Sequence, residues 1–189
     1  MNFLSKTDCF KLIKTMDMMD HIIDHSVMVS NVTLFLCHAL KKNSAKINAD
    51  LAISAALLHD ITKTRSFSTK ENHSETGGFL LTDMGYPELG SIIRQHVILD
   101  SYIADSPVSE QEIVNYSDKR VLHDRVVSLD ERLEYIRVRY GKTVEFENRI
   151  RIMSQNTLTL ENKIFSHLDI APDQLSTHVK HEIKRLDFP

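Results

Sequence analysis

Apolar and polar positions along this chain recur mostly with the period of an α-helix, and the strict alternation typical of a half-buried strand is hard to find. Five glycines and four prolines in 189 residues leave long segments without turn signals. The pattern therefore predicts an all-α fold, a bundle of helices. We predict helices at about residues 7–19, 20–41, 48–60, 73–85, 87–96, 110–122 and 128–141.

The segment LAISAALLHDITK, residues 51–63, departs from the amphipathic pattern. Its first eight residues are small or apolar on nearly every side, as expected of a central helix that is packed by neighbours all round. The run then ends on His59 and Asp60. An imidazole and a carboxylate at the edge of a dry core are costly to bury unless hydrogen bonds, opposite charge or a metal compensates them.

Polar residues follow this pair, and we predict that residues 63–72 form a loop that walls a site. Residues 142–189 carry scattered apolar positions and a last amphipathic segment after Pro172, which we interpret as an appended helical pair. The predicted organisation is a domain over residues 1–141 and a C-terminal helical extension over residues 142–189, packed on the same domain.

Composition narrows the class of protein. The 23 basic and 26 acidic residues are scattered, with a net charge of −3, so a broad basic surface for nucleic acid is not expected. No apolar run approaches the length that crosses a bilayer, the N-terminus lacks the apolar core of a secretory signal, and the two cysteines are not spaced as CxxC. We expect a cytoplasmic protein with free thiols and without nucleic-acid or membrane partners. The sequence leaves open whether the chain forms a homodimer.

Ten histidines are many for this length. Six residues of metal-ligating type end apolar helical stretches: His25, His59, Asp60, His73, His96 and Asp118. No two of them have the i, i+4 spacing of an HExxH helix, so a metal site has to be assembled from five separate elements. The spacing by itself says little.

The order H…HD…H…H…D resembles the HD superfamily of metal-dependent phosphohydrolases, in the six-ligand form that holds two metals. The likeness covers about residues 25–120. HDITK resembles the family's HDxxK form, HSETGGFLL the HxxxG start of its next helix, IIRQH its IRxH ending, and YSDKRV its closing segment. Within the superfamily the chain most resembles the YqeK-type bacterial diadenosine tetraphosphatases.

This resemblance implies that His25, His59, Asp60 and Asp118 hold one metal, and that Asp60 bridges to a second metal held by His73 and His96. Iron or manganese suits the mixed nitrogen and oxygen ligands best, and nickel, cobalt or magnesium is also compatible. A hydroxide shared by two such ions is a nucleophile at neutral pH. The expected function is hydrolysis of a phosphoester or phosphoanhydride in a nucleotide or another small phosphorylated metabolite.

The same resemblance assigns a catalytic role to Asp60 and to Lys63, whose ammonium is expected to contact the scissile phosphate. Cations that flank the ligands, Arg94, Lys119 and Arg120, are the further candidates for substrate binding. By contrast, the charged run from Asp130 to Arg139, which includes Arg132 and Arg137, is most simply a solvated and salt-bridged helix face.

Two other functions remain open at this point. The six-ligand set also resembles HD-type mixed-valent di-iron oxygenases, which cleave C–C or C–P bonds. A non-catalytic HD sensor that binds a nucleotide and signals through the C-terminal helices is the third alternative. Lys63 and the basic flanks favour the hydrolase.

Overall fold

The computed structural model of the protein describes residues 3–42, 46–102 and 105–185. Over these residues the chain forms α1 (Lys6–Thr15), α2 (Asp20–Lys42), α3 (Ala49–Leu58), α4 (Lys63–Thr69), α5 (His73–Asp83), α6 (Pro87–Arg94), α7 (Glu110–Asp118), β1 (Val121–Leu122), β2 (Arg125–Val126), α8 (Leu129–Tyr140), α9 (Val144–Phe165), a 3₁₀ turn (Pro172–Gln174) and α10 (Leu175–His178). The all-α fold class is confirmed.

Helix α3 lies at the centre of the fold. All its residues except Asp50 are buried, and it packs against α1, α2, α6 and α7. Asn48 caps its N-terminus by accepting a hydrogen bond from the backbone N–H of Leu51. Helix α3 ends at Leu58, so His59 and Asp60 lie in the turn that follows. Neighbours on every side therefore fix the position of this pair.

Helix α4 corrects the prediction of a loop over residues 63–72. Residues 63–69 form two helical turns, although none of these residues is buried. The hydroxyls of Ser66 and Ser68 donate to backbone carbonyls within the helix. Because α4 buries no face, its sequence carries no apolar period, and the hydrophobic pattern was unable to predict it.

Two predicted helices end four residues earlier than expected, whereas the other predicted ends lie within two residues of those observed. Helix α1 stops at Thr15, because Asp17 adopts a left-handed conformation with φ of 50°. Helix α7 stops at Asp118 rather than at residue 122, and the chain turns into the short β1–β2 hairpin. His123, with φ of 58°, lies in the turn of this hairpin.

Helices α5 and α6 cross at very short range. A Cβ atom added to Gly90 would lie 2.5 Å from the carbonyl oxygen of Gly78 and even closer to the hydroxyl of Thr82. A Cβ atom added to Gly78 would lie 2.8 Å from the carbonyl oxygen of Gly90. Only glycines allow this approach, and it sets the separation of His73, which begins α5, from His96, which follows α6.

The C-terminal part packs on the helical core through α9. Lys163 on α9 donates to Glu112 on α7 over 2.7 Å, and both side chains are buried. Farther along, the Asn31 amide on α2 exchanges two hydrogen bonds with the backbone of Ile183. The boundary predicted at residue 141 stays a prediction, and residues 1–2, 43–45, 103–104 and 186–189 of the two predicted parts lie outside the described residues.

Helix α2 modifies one expectation. Its 23 residues include an 18-residue window of mean hydropathy 1.2, long and apolar enough by composition to cross a membrane, although no such run was expected. Of that window, 72% is buried inside the fold. The core helix of a soluble protein has these same properties, so the length and hydropathy of α2 are weak signals of a membrane span.

We expect Gly90→Ala to lower the free energy of unfolding by about 1–3 kcal/mol, because the added methyl group has to push α5 away from α6. Urea denaturation followed by circular dichroism measures this loss. Glu88→Ala, an exposed change on the same helix, is the matched control and should cost less than about 0.5 kcal/mol. Equal stability of the two variants would contradict the close helix contact.

Lys163→Met should lower the free energy of unfolding by roughly 3–5 kcal/mol, since it leaves the Glu112 carboxylate buried without its counter-ion. The double variant Lys163→Met with Glu112→Gln removes both charges and should be more stable than the single variant. Denaturation midpoints compare the two. A double variant that is no more stable than Lys163→Met would show that the two side chains do not interact.

Candidate metal centre

The six predicted ligands come from five separate parts of the fold and meet at one place. His25 lies on α2, while His59 and Asp60 lie in the turn after α3. His73 is the first residue of α5, His96 follows α6 by two residues, and Asp118 is the last residue of α7. Apart from His25, the ligands therefore lie at helix ends.

One half of the centre contains His25, His59, Asp60 and Asp118. The ligand atoms of His25, His59 and Asp60 all lie within 4.8 Å of one another. Asp118 Oδ1 lies 3.0 Å from His25 Nε2 and 3.8 Å from His59 Nε2. Two carboxylates and two imidazoles thus converge on one point, which is the donor set that the resemblance implied for the first metal.

The other half contains Asp60, His73 and His96, whose ligand atoms also lie within 4.8 Å of one another. Asp60 Oδ1 lies 3.2 Å from His73 Nε2 and 3.6 Å from His96 Nε2, whereas Asp60 Oδ2 lies 3.3 Å from His59 Nε2. Asp60 therefore directs one carboxylate oxygen towards each half, as a bridging ligand does.

Backbone carbonyls orient three of the imidazoles. His59 Nδ1 lies 2.8 Å from the carbonyl oxygen of Ala56, and His96 Nδ1 lies 2.7 Å from that of Ile93. His25 Nδ1 lies 3.0 Å from the carbonyl oxygen of His123 in the hairpin turn. A proton on Nδ1 that is donated to a carbonyl leaves the Nε2 lone pair free for a metal, which is the usual arrangement around metal-bound histidines.

Two polar atoms at the middle of the centre lack hydrogen-bond partners. His59 Nε2 and Asp60 Oδ1 are buried, and neither makes a well-formed hydrogen bond among the described residues. Buried unsatisfied polar atoms cost free energy, and a bound cation is one of the few groups that satisfies an imidazole and a carboxylate together. The donor chemistry and these orphaned atoms fit divalent transition metals.

Burial and nearby charges shift the pKa values of the histidine ligands in opposite directions. Burial lowers the pKa of His25, and it lowers that of His96 well below the usual range, which favours the neutral imidazole that a metal requires. Burial would also lower the pKa of His59, but the nearby carboxylates of Asp60 and Asp118 outweigh burial and raise it. The same two carboxylates also attract a metal cation, which competes with a proton for His59 Nε2.

The two carboxylates are held ionised. Burial would raise the pKa of Asp60, yet the ammonium of Lys63 and the His59 ring hold it well below the usual range. For Asp118, burial is outweighed by Lys119, with His25 and Arg132 adding to the effect, so that its pKa is also well below the usual range. Both side chains are thus present as the anions that ligate metals.

Lys63 lies beside this centre, as predicted. Its Nζ atom is 2.7 Å from Asp60 Oδ2, and 27% of its side chain is exposed. Burial alone would lower the pKa of Lys63, but Asp60 and Asp118 raise it, so the side chain carries a positive charge at neutral pH. Lys63 thus presents a partly exposed cation at the open side of the centre.

Lys119 lies behind the ligands rather than in front of them. It is buried and donates to Asp118 Oδ2 over 3.0 Å and to the carbonyl oxygen of His96 over 2.6 Å. These two bonds join the ends of α6 and α7. The structure does not support a substrate-binding role for Lys119 and indicates instead that it positions the ligands.

Arg120 and Arg94 also point elsewhere. Arg120 is buried and donates to the carbonyl oxygens of Val127 and Pro172, and its guanidinium also contacts Tyr116 and Glu161. Arg94 pairs with Asp100, and its Nη1 atom lies 3.7 Å from Glu75 Oε1. The structure does not support substrate binding by either arginine, because neither is among the residues that line the cavity in front of the ligands.

A cavity of about 240 Å³ opens in front of the centre. His25, Asp60 and Lys63 form its floor, and α8 contributes Arg132, Tyr135, Arg139 and Tyr140 to one wall. Sequence reasoning missed this wall, because the charged run on α8 was interpreted as a solvated face. The spacing of residues 132, 135 and 139, which is i, i+3, i+7, was the available signal that these side chains share one side of the helix.

Comparison with known proteins agrees with this geometry. A family model described as "HD domain" matches residues 22–133, which include all six converging ligands. No curated protein and no solved structure shows significant similarity to the chain.

We expect the purified protein to bind up to two equivalents of iron or manganese, and Asp60→Asn to bind less than one, because an amide supplies neither the charge nor the second anionic oxygen of a bridge. Inductively coupled plasma mass spectrometry measures the metal content. Asp83→Asn, which removes an exposed carboxylate at the end of α5, is the control. Wild-type metal content in Asp60→Asn would contradict the assignment of the bridge.

Proposed function

The chain belongs to the HD domain family, a superfamily of metal-dependent phosphohydrolase type, and on that premise we propose that it hydrolyses a phosphoester or phosphoanhydride bond in a nucleotide or small phosphorylated metabolite. The observation that carries the proposal is the pair of orphaned buried atoms, His59 Nε2 and Asp60 Oδ1, at the junction of the two ligand groups. They support a centre built for two cations.

In this proposal His25, His59, Asp60 and Asp118 hold one metal, while Asp60, His73 and His96 hold the other. When bound, such ions supply Lewis acidity and lower the pKa of a coordinated water molecule. The resemblance to YqeK-type enzymes makes diadenosine tetraphosphate one of the nucleotides to test. Cytoplasmic location and a homodimer stay expectations.

The chain's own residues supply the rest of the chemistry. Lys63 presents a charged ammonium at the floor of the cavity, where it stabilises the negative charge that develops on a transferring phosphoryl group. Lys119 keeps Asp118 oriented by its bond to Oδ2 and ties that aspartate to the end of α6 through the carbonyl of His96. The buried turn after α3 prevents His59 and Asp60 from changing position as substrate enters.

Manganese-loaded or ferrous protein should hydrolyse at least one member of a panel of nucleotides, diadenosine tetraphosphate and phosphomonoesters under anaerobic conditions, with the product nucleotides separated by chromatography and any free phosphate measured beside them. Lys63→Met should lower kcat/KM by roughly 10²–10³-fold, because it removes one cation from the transition state. Metal content should not fall, since the lysine supplies no ligand atom. Lys70→Met, at the exposed C-terminal end of the same helix, is the control and should retain full activity.

Other outcomes of this screen point to the alternative functions. Oxygen consumption together with a coupled Fe(II)/Fe(III) electron paramagnetic resonance signal would establish the oxygenase. Nucleotide binding by metal-loaded protein without turnover of any substrate, in the presence or absence of oxygen, would establish the sensor. Either result would overturn the proposed hydrolase.

A further inference from the structure

Arg132 on α8 is held at the metal centre without a full set of partners. Only 12% of its side chain is exposed, and it lines the cavity in front of the ligands. Its Nε atom is buried and has no hydrogen-bond partner within the part of the chain that the structure describes. A charged donor that is buried and unsatisfied is costly, so its retention requires an explanation.

Support of Asp118 accounts for only part of the donor capacity of Arg132. The closest approach of its guanidinium to Asp118 Oδ1 is 3.6 Å, longer than a hydrogen bond. Asp118 already has His25 Nε2 at 3.0 Å and Lys119 Nζ at 3.0 Å. The carboxylate is therefore held in place by two closer groups, and most of the donor capacity of Arg132 is unused.

A second arginine on the same helix shows the contrast. Arg137 donates to both oxygens of Glu134, over 2.7 Å and 2.8 Å, and both side chains are exposed. That pair is the salt-bridged surface predicted for the whole run. Arg132 instead packs its guanidinium over the ring of Tyr135, 5.7 Å from the ring centre, which holds it on the cavity side.

The charges around the cavity indicate what Arg132 meets. Lys63, Arg132 and Arg139 line the cavity, and the one carboxylate among the described residues that line it is Asp60, which is assigned to the metals. The cavity therefore suits an anion. A guanidinium presents parallel N–H donors that match two oxygens of one phosphoryl group, a geometry that an ammonium cannot supply.

We propose that Arg132 binds the phosphoryl oxygens of the substrate, and that α8 thereby completes a site whose metal ligands all lie on α2 to α7 and the turns between them. This inference rests on the proposed function, because it takes the substrate to be a phosphate. It adds a binding residue to the metal ligands and Lys63, and it makes the position of α8 a determinant of substrate affinity.

Inorganic phosphate is the probe, and isothermal titration calorimetry on manganese-loaded protein measures its dissociation constant. Arg132→Gln should weaken phosphate binding by roughly 10–100-fold, the effect of losing a charge-assisted hydrogen-bonded pair. Metal content and melting temperature should stay close to those of the wild type. Arg137→Gln, the same change on the exposed side of α8, should bind phosphate as the wild type does.

Three results would overturn the inference. The first is wild-type phosphate affinity in Arg132→Gln. The second is a loss of metal from that variant with unchanged phosphate affinity in the fraction that remains loaded, which would assign Arg132 to ligand positioning. The third is a wild-type protein that does not bind phosphate.

Arg132→Lys covers the case in which the glutamine variant does not fold. This variant keeps the positive charge but loses the parallel N–H donors of the guanidinium, so phosphate binding should weaken by a smaller factor, roughly 3–10-fold. Unchanged affinity in a folded Arg132→Lys protein also overturns the inference. If the wild type binds phosphate through Arg132 but turns over no member of the substrate panel, the proposed hydrolase fails while the binding role of Arg132 stands.

Discussion

The structure depends on the burial of one imidazole–carboxylate pair. His59 and Asp60 directly follow α3, the most apolar helix among the described residues, and each has a buried polar atom with no hydrogen-bond partner in that part of the chain. Without compensation this arrangement opposes folding, because both groups lose their water. Lys63 compensates part of the charge of Asp60, and a cation bound between the surrounding ligands would compensate the rest.

The rest of the fold keeps the other ligands within reach of this pair. The glycine contact between α5 and α6 sets how far His73 lies from His96. Lys119, buried behind the centre, ties the end of α7 to the end of α6. These contacts fix the backbone positions of the ligands without involving a metal. The free energy of helix packing therefore stabilises the geometry of the site.

The C-terminal helices have two different relations to this core. Helix α9 is anchored on α7 by the buried Lys163–Glu112 pair, and Arg120 reaches the carbonyl of Pro172. Helix α8, which precedes α9 in the chain, contributes no metal ligand and instead forms a cationic and aromatic wall of the cavity. The family match ends at residue 133, so most of that wall lies beyond it.

The sequence alone determined the helical class, the central position of residues 51–58 and the six residues that converge. It did so because apolar periodicity reports burial, and because the ordered histidines and aspartates resemble a family pattern. The tertiary structure decided which cations face the site. Lys63 and Arg132 reach the cavity, whereas Lys119 and Arg120 turn into the protein. A charged residue carries no burial signal of its own, and the direction of its side chain is set by distant carbonyls and carboxylates that only the folded chain brings near.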